Sequence, residues 1–137
     1  MNLDLQEKLI KKYPEIFKIN VPAKYPFDQR GFENWDGLYD LIDKTAAKIQ
    51  FVLDKDDKAY FYTAQVKVKL ARLTWYYQCD EDNQIIFNTL IDAAEKASLT
   101  ICEKCGTKED VTQNQGGYIL TLCPSCRKKI KNNKLIY

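Results

Sequence analysis

Histidine is absent from all 137 residues. That excludes a Ser-His-Asp or Cys-His catalytic pair, an HExxH metalloprotease site, a His-metal nuclease centre and a histidine pH switch. Any metal must be held by sulfur or oxygen. Carboxylate or lysine chemistry is not excluded. No apolar run approaches 18 residues, so no membrane-spanning helix is expected. The first residues, Met1-Asn2-Leu3-Asp4-Leu5-Gln6-Glu7-Lys8, lack the basic-then-apolar order of a secretory signal. There is no glycine-rich phosphate loop, no nucleophile elbow, no internal repeat and no low-complexity stretch.

What is present is an ordinary globular composition, 45% hydrophobic with a net charge of +2. So small a surplus does not by itself mark a nucleic-acid binder. Its distribution is more telling: residues 1–98 carry 14 basic and 16 acidic side chains, whereas residues 99–137 carry seven and three. Phosphate, RNA or an acidic protein surface could meet such a basic end.

Hydrophobic spacing gives the elements. Leu5, Leu9, Ile10 and Tyr13 predict a helix over 4–13, with Asp4 at its start and Pro14 at its stop. Tyr13-Pro14-Glu15-Ile16-Phe17 starts a further turn, and 18–34 reads as an irregular connection. Asp36-Gly37 opens a helix to about residue 53, with Leu38, Leu41, Ile42, Thr45, Ile49 and Val52 inward. Asp54 to Lys58 is a charged loop. Over 59–79 the period becomes two, giving either a hairpin turning near Ala71-Arg72 or one long bent strand. Residues 83–97 form a helix with Ile86, Leu90, Ala93, Ala94 and Ala97 inward. Residues 116–122 read as a strand and 127–136 as a basic helix.

Five cysteines divide into four and one. Cys102-Glu-Lys-Cys105 and Cys123-Pro-Ser-Cys126, with 17 residues between the pairs, have the spacing of a four-cysteine zinc site. Two intervening residues let each chain segment curl so that both thiolates face one ion. Gly106 stands where positive φ is often needed, and Pro124 stiffens the second curl. Four thiolates suit one structural Zn2+ with no open position for a substrate water. A mononuclear iron site and a redox dithiol are the alternatives. The second pair opens a helix, which favours a treble clef over a plain zinc ribbon. Cys79 stands apart and reads as a small packing residue, since Asp80, Glu81 and Asp82 would raise its pKa.

Arg127, Lys128, Lys129, Lys131 and Lys134 line the C-terminal helix without an acid. They could contact a partner protein or nucleic acid, or they could simply be solvated. Lys67, Lys69 and Arg72 followed by Trp75, Tyr76 and Tyr77 could stack single-stranded RNA, but a half-buried sheet explains the alternation as well. Asp36, Asp40 and Asp43 share a helix side that could hold magnesium, although a solvated acidic face accounts for them too.

Several segments in order carry a family resemblance. They are Tyr13-Pro-Glu-Ile-Phe17, Trp35-Asp-Gly-Leu-Tyr-Asp-Leu-Ile-Asp43, Gln65-Val-Lys-Val-Lys-Leu70 with Leu73-Thr-Trp-Tyr-Tyr77, Ile91-Asp-Ala-Ala-Glu-Lys-Ala-Ser98 before Cys102-Glu-Lys-Cys-Gly106, and Gly117-Tyr-Ile-Leu-Thr-Leu-Cys123. Over most of its length the chain resembles a group of small, uncharacterised phage and prophage proteins with a C-terminal four-cysteine finger. Such relatives usually have a further cysteine-rich stretch, which residues 20–34 lack here, and glycines where this chain has Ala71-Arg72.

The resemblance implies a non-enzymatic accessory protein of a mobile element. It would bind and inhibit or modulate a nucleic-acid-handling host complex, a CRISPR nuclease (anti-CRISPR action) being one such target. Direct RNA or DNA binding by the finger is the alternative. The expected partner is a host protein or ribonucleoprotein, with no membrane, in the reducing host cytoplasm. The expected fold is α+β: helices packed on a short antiparallel sheet in 1–98, then a four-cysteine zinc finger with a basic helix in 99–137.

Overall fold

The computed structural model describes residues 1–133. The chain runs α1 (Leu3–Lys12), α2 (Pro26–Arg30), β1 (Phe32–Glu33), a 3-10 turn (Asp36–Leu38) and α3 (Tyr39–Lys55). It continues through β2 (Phe61–Lys69), β3 (Arg72–Cys79), a 3-10 turn at Glu81–Asn83, α4 (Gln84–Ala97) and another at Ser98–Thr100. The C-terminal region adds β4 (Thr112–Gln113), β5 (Thr121–Leu122) and α5 (Pro124–Asn133). The α+β expectation holds, with one change to the sheet. It is three-stranded in the order β1-β2-β3, and β1 pairs parallel to β2, so the sheet is mixed.

The capping of α1 differs from the expected start. Asn2, not Asp4, is the N-cap, and its side-chain oxygen accepts the Leu5 amide at 2.9 Å. Asp4 sits in the first turn, where its charge still meets the positive end of the helix dipole. The Tyr13 amide closes the helix on the Leu9 carbonyl before Pro14. Residues 18–34 contain α2 and β1, each too short for periodicity to reveal.

β2 and β3 form the hairpin rather than one bent strand. Lys69 pairs with Arg72 across a two-residue turn, Leu70-Ala71, with φ of 52° and 65°. Positive φ at both positions defines the turn whose twist matches a hairpin, normally made by Asn-Gly. Here Leu and Ala adopt it without that help, and the Thr121 hydroxyl donates to the Ala71 carbonyl at 2.6 Å, pinning the turn to β5.

The inner sheet face is aromatic. Phe17 lies at its centre, with ring centroids 5.0 Å from Phe32, 5.8 Å from Phe27 and 5.6 Å from Trp75. The indole N–H of Trp75 donates to the Thr63 hydroxyl, so its polar atom is not stranded. Phe61 touches Trp75, Tyr77 and Phe87, joining the sheet to α4.

α4 is rotated relative to the sequence expectation. Phe87, Ile91 and Ala94 are buried, while Ile86 and Ala93 are exposed. In α3 the stripe is close to the expected one, with Leu53 rather than Val52 fully inside. Two side chains at the C-terminal end of α4 and just beyond it reach the outer edge of β3. Ser98 Oγ, one residue past the helix end, accepts the Leu73 amide, and Glu95 accepts the Trp75 amide, both at 2.9 Å.

Candidate metal centre

The two C-x-x-C segments meet. The Sγ atoms of Cys102, Cys105, Cys123 and Cys126 all lie within 4.8 Å of one another, and Cys105 and Cys123 are 3.8 Å apart. A disulfide would bring sulfurs to about 2.05 Å, so these are free thiols. Among the described residues this is the one group of cysteines and acids able to hold a metal ion.

Local chain geometry explains the convergence. In the first knuckle the Gly106 amide donates to the Cys102 carbonyl at 2.9 Å, and Gly106 turns away with φ of 83°. The Cys102 amide in turn donates to the Thr107 carbonyl. The second knuckle forms where β5 runs into α5. Pro124 takes the first helical position, the Cys126 amide donates to Cys123 Sγ at 3.4 Å, and the Arg127 amide donates to the Cys123 carbonyl. The order knuckle, β4–β5 hairpin, ligand-bearing helix is the treble-clef arrangement.

Electrostatics within the cluster are uneven. Burial works against ionisation of Cys102, but the backbone amides of Cys105, Cys123 and Lys104 outweigh it and bring its thiol down to about 7. Burial and the neighbouring sulfurs of Cys123, Cys102 and Cys105 push Cys126 well up. At Cys105 the Thr107 amide favours the thiolate, yet burial and contact with Cys102 leave the thiol raised. Thiolates held this close repel one another, and a divalent ion among them would reverse that penalty.

The cluster is anchored to the rest of the molecule through buried groups. Glu103, 1% exposed, lies between the first two cysteines. Its amide donates to the Thr121 carbonyl at 2.9 Å, and its carboxylate accepts the Thr121 amide at 2.7 Å. The Glu103 carbonyl accepts the Gly37 amide at 2.9 Å. Gly37 packs so closely that a Cβ there would lie 2.2 Å from the Cys102 oxygen. The Lys104 ammonium sits 4.6 Å from the centroid of a Trp35 ring. The Asp36-Gly37 pair, read from sequence as a helix start, is therefore also the seat of the first knuckle.

The basic helix residues have different settings. Arg127 turns back onto the finger, donating to the Thr112 carbonyl at 2.6 Å and to that of Leu120 at 3.3 Å. Lys128 and Lys129 are exposed. Lys131 lies in α5, and Lys134 lies outside the described residues.

Two of the three candidate magnesium carboxylates are engaged elsewhere. Asp43 binds the Lys12 ammonium at 3.1 Å and the Tyr13 hydroxyl at 2.6 Å, and Asp36 accepts from the Asn2 amide and side chain. Cys79 is half-buried, and burial, followed by Asp80, raises its pKa, as the sequence implied. Trp75 faces the core, whereas Tyr76 faces out. No helix among the described residues is long and apolar enough to cross a membrane. No family model, curated protein or solved structure matches the chain.

Proposed function

We propose that this chain is a zinc-stabilised, phage-type accessory protein that binds a host protein or ribonucleoprotein complex handling nucleic acid, and inhibits or modulates it. Zn2+ is the ion assigned to Cys102, Cys105, Cys123 and Cys126. A tetrahedron with zinc–sulfur bonds of about 2.3 Å has edges of about 3.8 Å. Cys105 and Cys123 stand at that separation, and no other pair is more than 4.8 Å apart. With four protein ligands zinc has no open position, so its part is to hold the finger together. The reading is of binding rather than catalysis, in a reducing compartment such as the host cytoplasm, where thiolates persist.

The observation that carries the binding reading is an apolar groove of about 400 Å³ between the outer sides of α3 and α4. Ala47, Phe51 and Val52 line one wall and Ile86 and Leu90 the other. Phe51 is 61% exposed, with the Lys55 ammonium 4.1 Å from its ring centroid. Exposed Lys44, Lys48 and Lys55 edge the α3 side, so the surface fits an amphipathic helix with acidic flanks. A nuclease complex of the host that co-purifies with the tagged chain, and loses activity when the chain is added, supports the reading. Phe51→Asp is expected to abolish both effects. Full inhibition by Phe51→Asp, or no host complex affected at all, counts against it. Elemental analysis should find about one zinc per chain, and Cys102→Ser or Cys126→Ser should lose it while Cys79→Ser keeps it.

A further inference from the structure

The outer face of the sheet bears aromatic rings that the core does not require. Strand register turns Tyr62 of β2 and Tyr76 of β3 away from the buried Phe61, Val66 and Trp75, and Tyr60, just before β2, is exposed beside Tyr62. A bulge between Thr63 and Gln65 keeps Tyr62 and Lys67 on the same face despite the odd spacing. Tyr62 is 41% exposed and Tyr76 46% exposed. Tyr60 and Tyr62 stack at 5.1 Å with an interplanar angle of 22°, presenting flat ring surfaces rather than a ragged patch.

Cations accompany the rings. The Lys67 ammonium lies 5.9 Å from the Tyr76 centroid. Beside Tyr62 a cleft of about 130 Å³ is lined by Lys18, Asn20, Lys24 and Tyr25. Its loop is ordered in advance: the Asp28 carboxylate accepts the Asn20, Lys24 and Tyr25 amides at 2.8–2.9 Å. Pre-ordering lowers the entropy lost on binding. Glu33, the acid paired in register with Lys67, is engaged by Gln65 at 3.1 Å and by Arg30 at 4.0 Å. The face therefore offers ring planes for bases and ammonium groups for phosphates, which is the combination that holds single strands.

We infer that this face binds single-stranded RNA, with Tyr62 and Tyr76 as stacking platforms and Lys18, Lys24 and Lys67 as phosphate contacts. Duplex bases are already stacked and cannot reach the rings. The exposed Gln78 side-chain amide on β3 provides both a donor and an acceptor for a 2′-hydroxyl. The site lies apart from the α3–α4 groove, so this inference stands independently of the host-complex reading.

The test is fluorescence anisotropy of the full zinc-loaded chain with a labelled 12-nucleotide oligo(rU). Three phosphate contacts on a single strand should weaken binding about 20-fold between 50 and 200 mM salt. Tyr62→Ala and Tyr76→Ala should each weaken it about ten-fold or more. Zinc content and melting temperature should not change, because both rings are exposed. Absence of binding at 50 mM salt overturns the inference. So does equal binding of an RNA duplex or of oligo(dT). Binding that survives both tyrosine substitutions but is lost in Lys128→Glu with Lys129→Glu would move the site to α5 and overturn it too. If Tyr62→Ala abolishes host-complex capture while the isolated chain ignores oligo(rU), the face is a protein contact instead.

Discussion

One added methyl group at Gly37 tests whether the four-cysteine finger and the helical body are one cooperative unit. The φ of Gly37 is not positive, so backbone freedom alone gives no reason for glycine here. On that ground alone, Gly37→Ala should stabilise the chain by about 0.4–1 kcal/mol through the unfolded state. The packing says the opposite. The new Cβ would stand 2.2 Å from the Cys102 carbonyl oxygen and 2.6 Å from the Glu103 carbonyl carbon and oxygen. Non-bonded carbon contacts settle near 3.5–4.0 Å, so the knuckle and the 3-10 turn must part by about 1 Å. The obstructing atoms are backbone and cannot rotate aside. Overpacking of this kind costs about 1–3 kcal/mol, and losing the Gly37–Glu103 hydrogen bond adds about 1 kcal/mol. Set against the gain through the unfolded state, the net loss should be about 1–3.5 kcal/mol, or a melting-temperature drop of about 4–12 °C for a chain of this size. Thermal unfolding followed by circular dichroism reads the stability, and a chromogenic chelator reads metal retention. Gly37→Ala should melt lower and release metal sooner. A variant that melts at or above the parent, with unchanged metal release, would refute the tight seam between Gly37 and the first knuckle.

Two further outcomes follow from the structure. Burial disfavours the Asp28 carboxylate, but the amides of Asn20, Tyr25 and Lys24 and the Asn20 side chain hold its pKa down to about 2 against 3.8. A depressed folded pKa means stability present above 3.8 and lost as pH falls towards 2. The wild type should exceed Asp28→Asn by about 1–2 kcal/mol at pH 6, allowing for solvent screening, and by little at pH 2. Parallel denaturant titrations of both proteins measure this, and a gap independent of pH would count against it. At the hairpin, Leu70→Asn with Ala71→Gly relieves two left-handed non-glycine residues and should raise stability by about 1 kcal/mol. A denaturant midpoint that stays the same or falls would show that the turn carries no strain.

The four-cysteine cluster was the most legible part of the sequence, because a C-x-x-C curl is set by the few residues around it. Its seat was not legible. Gly37 precedes Cys102 by 65 positions, and nothing in the local pattern distinguishes a glycine that starts a helix from one that admits a carbonyl. The phase of α4 failed for another reason. The expected inner face, Ile86, Leu90, Ala93, Ala94 and Ala97, shares only Ala94 with the buried stripe of Phe87, Ile91 and Ala94, which lies one residue along. The sheet chose the stripe with the larger ring, since Phe87 packs on Phe61 at 5.2 Å. That choice left Ile86 and Leu90 lining the outer groove. The hairpin was half legible: its alternation was clear, but Leu70-Ala71 carries no turn chemistry of its own and is held by Thr121 from a distant strand. Tyr60 and Tyr62 could be read as strand residues, but their stacked, outward arrangement depends on the bulge.

β3 is an edge strand, and an edge is a template on which a second chain can grow. Two amides such a chain would need, those of Leu73 and Trp75, are already taken by Ser98 and Glu95. The same contacts that dock α4 therefore act as stoppers against cross-strand aggregation. A substitution such as Glu95→Ala would loosen a helix and also uncap a polymerisation edge. Its first symptom would be turbidity at high concentration, before any large fall in melting temperature.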